Sequence, residues 1–310
     1  MTYTEFEIPS SNGRQALFCW LLEPRDKPRG VIQLVHGLGC HSGRYRYMAQ
    51  KLCEAGFLVC ANDHIGHGKT AQHSNTFGRT YGDWHIFPED EHRLRQAVAQ
   101  RYPQLPFGMF GHSMGSMIAR AYAAMYPEDG LRALALGGVC QQNPGADILL
   151  TKPEIPELMA QGFGHDMELG GQYFSILMEQ ANVRFPDEDA SAWLCCDPAV
   201  REEYAADPLN NHTGSALELL HAFLELYRGT TDPRNDARIP RDLPLLLMAG
   251  DQDPCGNYGE GLYNAANSLR NTGHRTRCIA FSGHRHEIHN HPAIRDRVIG
   301  ELAGFFRENM

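Results

Sequence analysis

The chain has 310 residues, 42% of them apolar and 21% charged, with a formal net charge of −9. That length suits one large domain, or a core with a smaller appendage, and can bury a sizeable core without disulfides or metals. A mildly acidic surface without blocks of like charge argues against nucleic acid or anionic membrane as the main partner.

The opening stretch MTYTEFEIPSSNGRQ is polar and has no apolar signal core, and no run of about 18 apolar residues follows. No membrane span is expected, and the cytoplasm is the expected location. The nine cysteines are odd in number and several sit in apolar runs such as FLVCAND and TRCIAF. That pattern fits free, buried thiols in a reducing compartment. Cys195 and Cys196 adjoin each other without C-x-x-C spacing or nearby zinc partners.

Two early strands are expected at 3–8 and 15–22, around the turn SSNGRQ. Six short apolar runs then follow: GVIQLV (30–35), GFLVCAND (56–63), PFGMFG (106–111), LRALALGG (131–138), LPLLLMAG (243–250) and RTRCIAF (275–281). Each is continuous and followed by Gly, Asp, Asn, Ser or His, and helical patterns such as YRYMAQKLCEA lie between most of them. Continuous apolar runs suit strands buried on both faces, and the alternation predicts an α/β fold with a mostly parallel central sheet. Ligands of such sheets sit at the carboxyl ends of the strands. Residues 140–242 break the rhythm, with helix-like segments such as GGQYFSILMEQA and SALELLHAFLELYRG and no clear strand. They are expected to form a helical cap over that edge, inserted into a core made of 1–139 and 243–310.

The search therefore turns to the residues after each run. Gly111-His112-Ser113-Met114-Gly115 lies between an apolar run and the helical SMIARAYAAMY. A serine at a strand-to-helix turn with glycine two residues to either side is a nucleophile elbow, which points the hydroxyl out of the sheet. A serine hydroxyl needs a neighbouring base, oriented by a carboxylate. The expected chain order is serine, acid, histidine. Asp251 and Asp253 follow the fifth run, and His284, His286, His289 and His291 follow the sixth. An oxyanion requires two donors: the N–H after the nucleophile, here Met114, and one from the loop His36-Gly37-Leu38-Gly39, where Leu38 is the expected donor. The histidine tract could hold a metal, but no other ligand accompanies it at a recognisable spacing, so no metal or cofactor is expected.

Together these residues resemble the α/β-hydrolase superfamily, from about residue 28 to the C-terminus. Within it the chain resembles the monoacylglycerol lipase and bacterial lysophospholipase branch, which is grouped with serine aminopeptidases. The most specific piece is VHGLGCHSGRYRYMAQKLCEAGFLVCANDHIGHGKT, followed by GHSMGS. AGDQDP is similar to the branch's G-x-x-D and GHRHEI to its histidine followed by glutamate, which favours Asp253 and His286. Cap fragments YFS, SAWLCCDP and DPLNNHT resemble bacterial lysophospholipase-like members, although KT replaces a more usual arginine-serine pair.

The resemblance implies a serine hydrolase of carboxylic esters, acting on mono-acyl lipids through Ser113, His286 and Asp253; peripheral lipid contact through the cap stays open, with no basic amphipathic helix to support it. Asp63, His64, Gly66, His67 and Gly68 are read as bracing of the elbow. Leu217, Leu220, Leu224 and Tyr227 form an apolar stripe that either packs on the core or lines an acyl tunnel. An aminopeptidase would need an acidic pocket, for which Asp187, Glu188, Glu202 and Glu203 are available. A ligand-binding protein on a hydrolase fold would usually lack a triad member.

Overall fold

The computed structural model describes residues 1–210 and 214–310. Its centre is one eight-stranded sheet. The chain opens with β1 (Thr2–Pro9) and β2 (Ala16–Glu23), an antiparallel pair closed by a turn in which the Ser10 N–H donates to Gln15 O. The six runs follow as β3 (Val31–Val35), β4 (Leu58–Asn62), β5 (Phe107–His112), β6 (Leu131–Gly137), β7 (Leu245–Gly250) and β8 (Thr276–Phe281). Their spatial order is β1-β2-β4-β3-β5-β6-β7-β8, with β3 to β8 parallel and β2 antiparallel to β4. The α/β expectation holds.

Alternation along the strands explains the unbroken apolar runs. In β3, Val31 and Val35 join the core on one face, while Ile32 and Leu34 join the core on the other. A strand covered on both faces has no solvent side, so its residues are apolar or, like Gln33 in β3, buried and hydrogen-bonded: the Gln33 side-chain amide donates to Glu91 O at 3.0 Å. The first core takes in the helix Met114–Met125, and the second the helices Arg46–Glu54 and Arg295–Asn309.

Between β6 and β7 the described residues contain helices and no strand: Pro144–Leu150, Glu154–Ala160, Met167–Asn182, Pro198–Ala206, Leu217–Thr231 and Pro233–Asp236. Leu217–Thr231 packs against Met114–Met125, and its Leu217, Leu220, Leu224 and Tyr227 are buried in the core. The stripe is therefore core packing. Residues 211–213 of DPLNNHT lie outside the described residues. No helix among the described residues is long and apolar enough to cross a membrane.

Candidate active site

The elbow follows from crowding. Ser113 has φ 58° and ψ −125°, a conformation that side chains rarely adopt. A Cβ on Gly111 would lie 2.1 Å from Gly115 O, and one on Gly115 would lie 2.1 Å from Val35 O. Only glycine lets β5, β3 and the following helix approach this closely. The turn leaves Ser113 half-buried at the sheet's carboxyl edge, where the N–H of Met114 opens a helix N-terminus that favours negative charge.

The two aspartates after β7 separate cleanly. Asp253 is fully buried, and its Oδ2 lies 2.9 Å from His286 Nδ1. It also caps the following turn by accepting from the Cys255 N–H at 2.9 Å. Asp251 faces the other way and accepts from the Gly283 N–H at 2.7 Å. The four histidines separate as well. His286 is paired with Asp253, His289 is buried and stacked on Tyr45, and His284 and His291 lie together, half-buried, on the outer side of the loop.

Electrostatics sets His286 apart. Burial lowers the pKa of His112 and His36 well below the imidazole range, and brings His289 and His67 to about 4 and His64 to about 3. His286 is equally enclosed and desolvation also pulls it down, but the Asp253 charge and hydrogen bond outweigh burial and raise it. Its Nε2 is buried and has no hydrogen-bond partner among the described residues. Ser113 Oγ contacts Cys140 Sγ at 4.0 Å.

Around this pair the main chain is held from several sides. The Nε2–H of His112 donates to His286 O at 3.1 Å, tying the elbow to the histidine loop. Glu287 is ion-paired with Arg44, and its N–H donates to Leu194 O at 2.8 Å. Asp63 accepts from Ser42 N and Oγ and from the Lys69 N–H, while the His64 N–H donates to His36 Nε2 at 2.9 Å. The D-H-x-G-H-G turn thus braces the His36–Gly39 loop and does not face the cavity.

Ser113 opens onto a cavity of about 910 Å³, at the upper end of usual ligand sites. Leu38, Phe174, Leu177, Met178, Trp193 and Phe223 supply much of its apolar wall. Sequence reasoning missed Phe223, which faces the cavity from the helix whose stripe faces the core. It also missed His112, Cys140 and Cys255, which surround the pair. Their only signal was position, each within two residues of an apolar run's end or of Asp253.

A family model for serine aminopeptidase, S33, matches residues 26–293. The chain belongs to this family. The monoacylglycerol lipase of Mycolicibacterium smegmatis is 31% identical over 233 residues, 74% of this chain and 72% of its own. The monoglyceride lipase of Rattus norvegicus is 27% identical over 295 residues, 93% and 86% of the two chains. A thermostable carboxyl esterase from Bacillus coagulans, solved in complex with glycerol, superimposes with a TM-score of 0.95 at 40% identity, over 100% of this chain and 99% of that one. The protein is an α/β hydrolase of carboxylic esters.

Proposed function

We propose that the protein hydrolyses mono-acyl glycerol esters through a Ser113–His286–Asp253 triad and an acyl-enzyme. Ser113 Oγ attacks the ester carbonyl while its proton passes to His286 Nε2. Asp253 holds the imidazole in the required tautomer and stabilises the imidazolium. The backbone N–H groups of Leu38 and Met114 receive the oxyanion. The tetrahedral intermediate expels the alcohol, which takes the proton from His286. Water then attacks the acyl-enzyme by the same route and releases the fatty acid. None of these steps calls for a cofactor or metal.

The observation that carries this reading is the elbow serine opening into a cavity with a largely apolar wall, with the one histidine among the described residues whose basicity is raised tied to the elbow through His112. Residues 140–242 act as the cap, supplying Phe174, Leu177, Met178, Trp193 and Phe223 to its wall. Lipid contact at the entrance runs through the same helices. Among the described lining residues Arg201 is the one lysine or arginine, and Glu188 and Asp189 already pair with it. A phosphate head group would want a free cation. The uncharged head of a monoacylglycerol fits better than a lysophospholipid, and the two lipase relatives point the same way. For an aminopeptidase reading, of Asp187, Glu188, Glu202 and Glu203 only Glu202 lines the cavity; Glu179 and Asp189 line it too, with Asp189 paired to Arg201, and the two lipase relatives favour the ester. All nine cysteines are free, in keeping with a cytoplasmic protein.

Hydrolysis measured across an acyl ladder of monoacylglycerols and matched lysophospholipids, with Ser113→Ala as the blank, tests this. A long-chain monoacylglycerol preference that disappears in the blank is expected. Activity confined to short esters would make the protein a general carboxylesterase.

A further inference from the structure

The outer side of the histidine loop holds a group of side chains that the hydrolytic reading leaves unused. Cys196 precedes the helix Pro198–Ala206, and His284 and His291 flank His286 on the loop after β8. One donor atom from each lies within 4.8 Å of the others. Cys196 Sγ is 3.8 Å from His284 Nδ1, and the two imidazoles meet edge to face at 4.5 Å between centroids. All three residues are half-buried, so the site is held by the fold yet open to an ion from solvent.

We infer that Cys196, His284 and His291 form a transition-metal site, with zinc as the best-matched ion, that clips the cavity wall to the loop carrying His286.

The donor set is the first support. One thiolate and two imidazoles suit zinc, whose structural and catalytic sites draw on cysteine and histidine. Zinc bonds of about 2.3 Å to sulfur and about 2.0 Å to nitrogen put tetrahedral donors roughly 3.3–3.6 Å apart. The observed spacing needs only small side-chain rotations to reach that. Present partners are weak: the Cys196 thiol reaches Gly283 O at 3.6 Å, and His291 Nδ1 accepts from the Ala293 N–H at 3.2 Å. On binding, the thiol loses its proton to solvent and three protein ligands leave a fourth position for water.

Placement is the second support. The backbone around the site is already fixed: the Gln252 N–H donates to His284 O at 2.9 Å, and Asp251 anchors Gly283. Asp251 also adds negative charge beside His284, which favours a cation. Opposite, Arg285 donates to Ala192 O at 2.7 Å and pairs with Glu188, so the segment ending at Cys196 already lies on the loop. An ion at this point would link Cys196 to His284, 88 residues away in the chain. Arg201 and Tyr204, on the helix that follows Cys196, line the cavity. The site is independent of which ester the enzyme takes.

Cobalt(II) serves as the probe, since a thiolate ligand gives it a near-ultraviolet charge-transfer band. Titration of the metal-free full chain should saturate at one ion per chain with that band and a tetrahedral visible spectrum. Zinc should displace it and raise the thermal midpoint. Cys196→Ser should abolish the band. His291→Ala should weaken zinc binding, read by chelator competition, by more than the roughly 10–100-fold typical of losing an outer-shell partner. It should also lose the zinc-dependent rise in midpoint, and it decides the matter if Cys196→Ser does not fold. Absence of the band in the wild type would overturn the site. So would a band that survives Cys196→Ser and vanishes in Cys255→Ser, because the ion would then sit in the buried Asp253–Cys255–His286 group.

Discussion

The carboxyl ends of the strands and the helices that cover them are built to different tolerances. At the strand ends every approach is tight: a Cβ on Gly250 would lie 2.0 Å from His284 O, and one on Gly115 2.1 Å from Val35 O. The helix behind Ser113 is buried along all of Met114–Ala124. In contrast, the covering helix Met167–Asn182 buries only Gly170, Leu177 and Ala181, and Glu154–Ala160 only Ile155. In the proposed reading the reacting groups sit where the backbone is over-determined, and an acyl chain would be received where side chains have slack. Close packing on one side fixes geometry to fractions of an ångström, which proton transfer needs. Looser packing on the other would let the proposed acyl chain vary in length.

The contrast can be broken first at its tight side. Ser113→Ala or His286→Ala should lower kcat by roughly 10⁴–10⁶-fold; Ser113→Ala should leave the thermal midpoint nearly unchanged, whereas His286→Ala strips the buried Asp253 of its partner and should lower it. Steady-state rates with an active-site titration of the wild type check this. Asp253→Asn should cost about 10⁴-fold, since the imidazole loses its tautomer, whereas Asp251→Asn should cost less than about 10-fold. A reversed order would exchange the roles of the two aspartates.

A pH profile sharpens the same side. In the proposed triad His286 must be neutral to accept the serine proton, and Asp253 raises its pKa. The acid limb of kcat/KM should therefore lie above about 6.5, the unperturbed imidazole value, with activity rising as pH rises through it. Stability runs in the opposite sense. A folded pKa above the unfolded one makes the contribution of His286 full below the unfolded value, and it is lost as pH rises through the folded value. The residual activity of Asp253→Asn should show the acid limb moved to lower pH.

On the loose side the expected effect is far smaller than the loss of a triad member. Ala181→Leu adds bulk to the cavity wall. It should reduce kcat/KM for long-chain monoacylglycerols by about 10-fold and leave short-chain esters unchanged, in line with the 1–3 kcal/mol that a methylene decides in an apolar pocket. Equal loss on both would show that the residue supports the reacting groups instead.

This division also governs what could be read from the chain. The strands were legible because burial on both faces demands unbroken apolar runs: 106–111 became Phe107–His112 and 243–250 became Leu245–Gly250. The elbow was legible because crowding leaves only glycine at 111 and 115. Local pattern could not separate Asp253 from Asp251, since the choice depends on which one meets a histidine 33 residues later in the chain. Nor could it bring Cys140 beside Ser113, an encounter made by the sheet order, or Cys196 beside His284 and His291, an encounter made by how the helical segment lies on the loop after β8. The stripe Leu217–Tyr227 marked a buried helix face, but not that Phe223, between its members, would face the cavity.

Ser113 has a further consequence through its φ of 58°. Such a backbone holds of order 1–3 kcal/mol of strain when the residue carries a Cβ. A chain with glycine there would relax that turn, so an inactive Ser113→Gly protein would endure heat at least as well as the active one. Selection of this fold for thermal endurance alone, with no demand for turnover, would drift towards losing the serine proposed as its nucleophile.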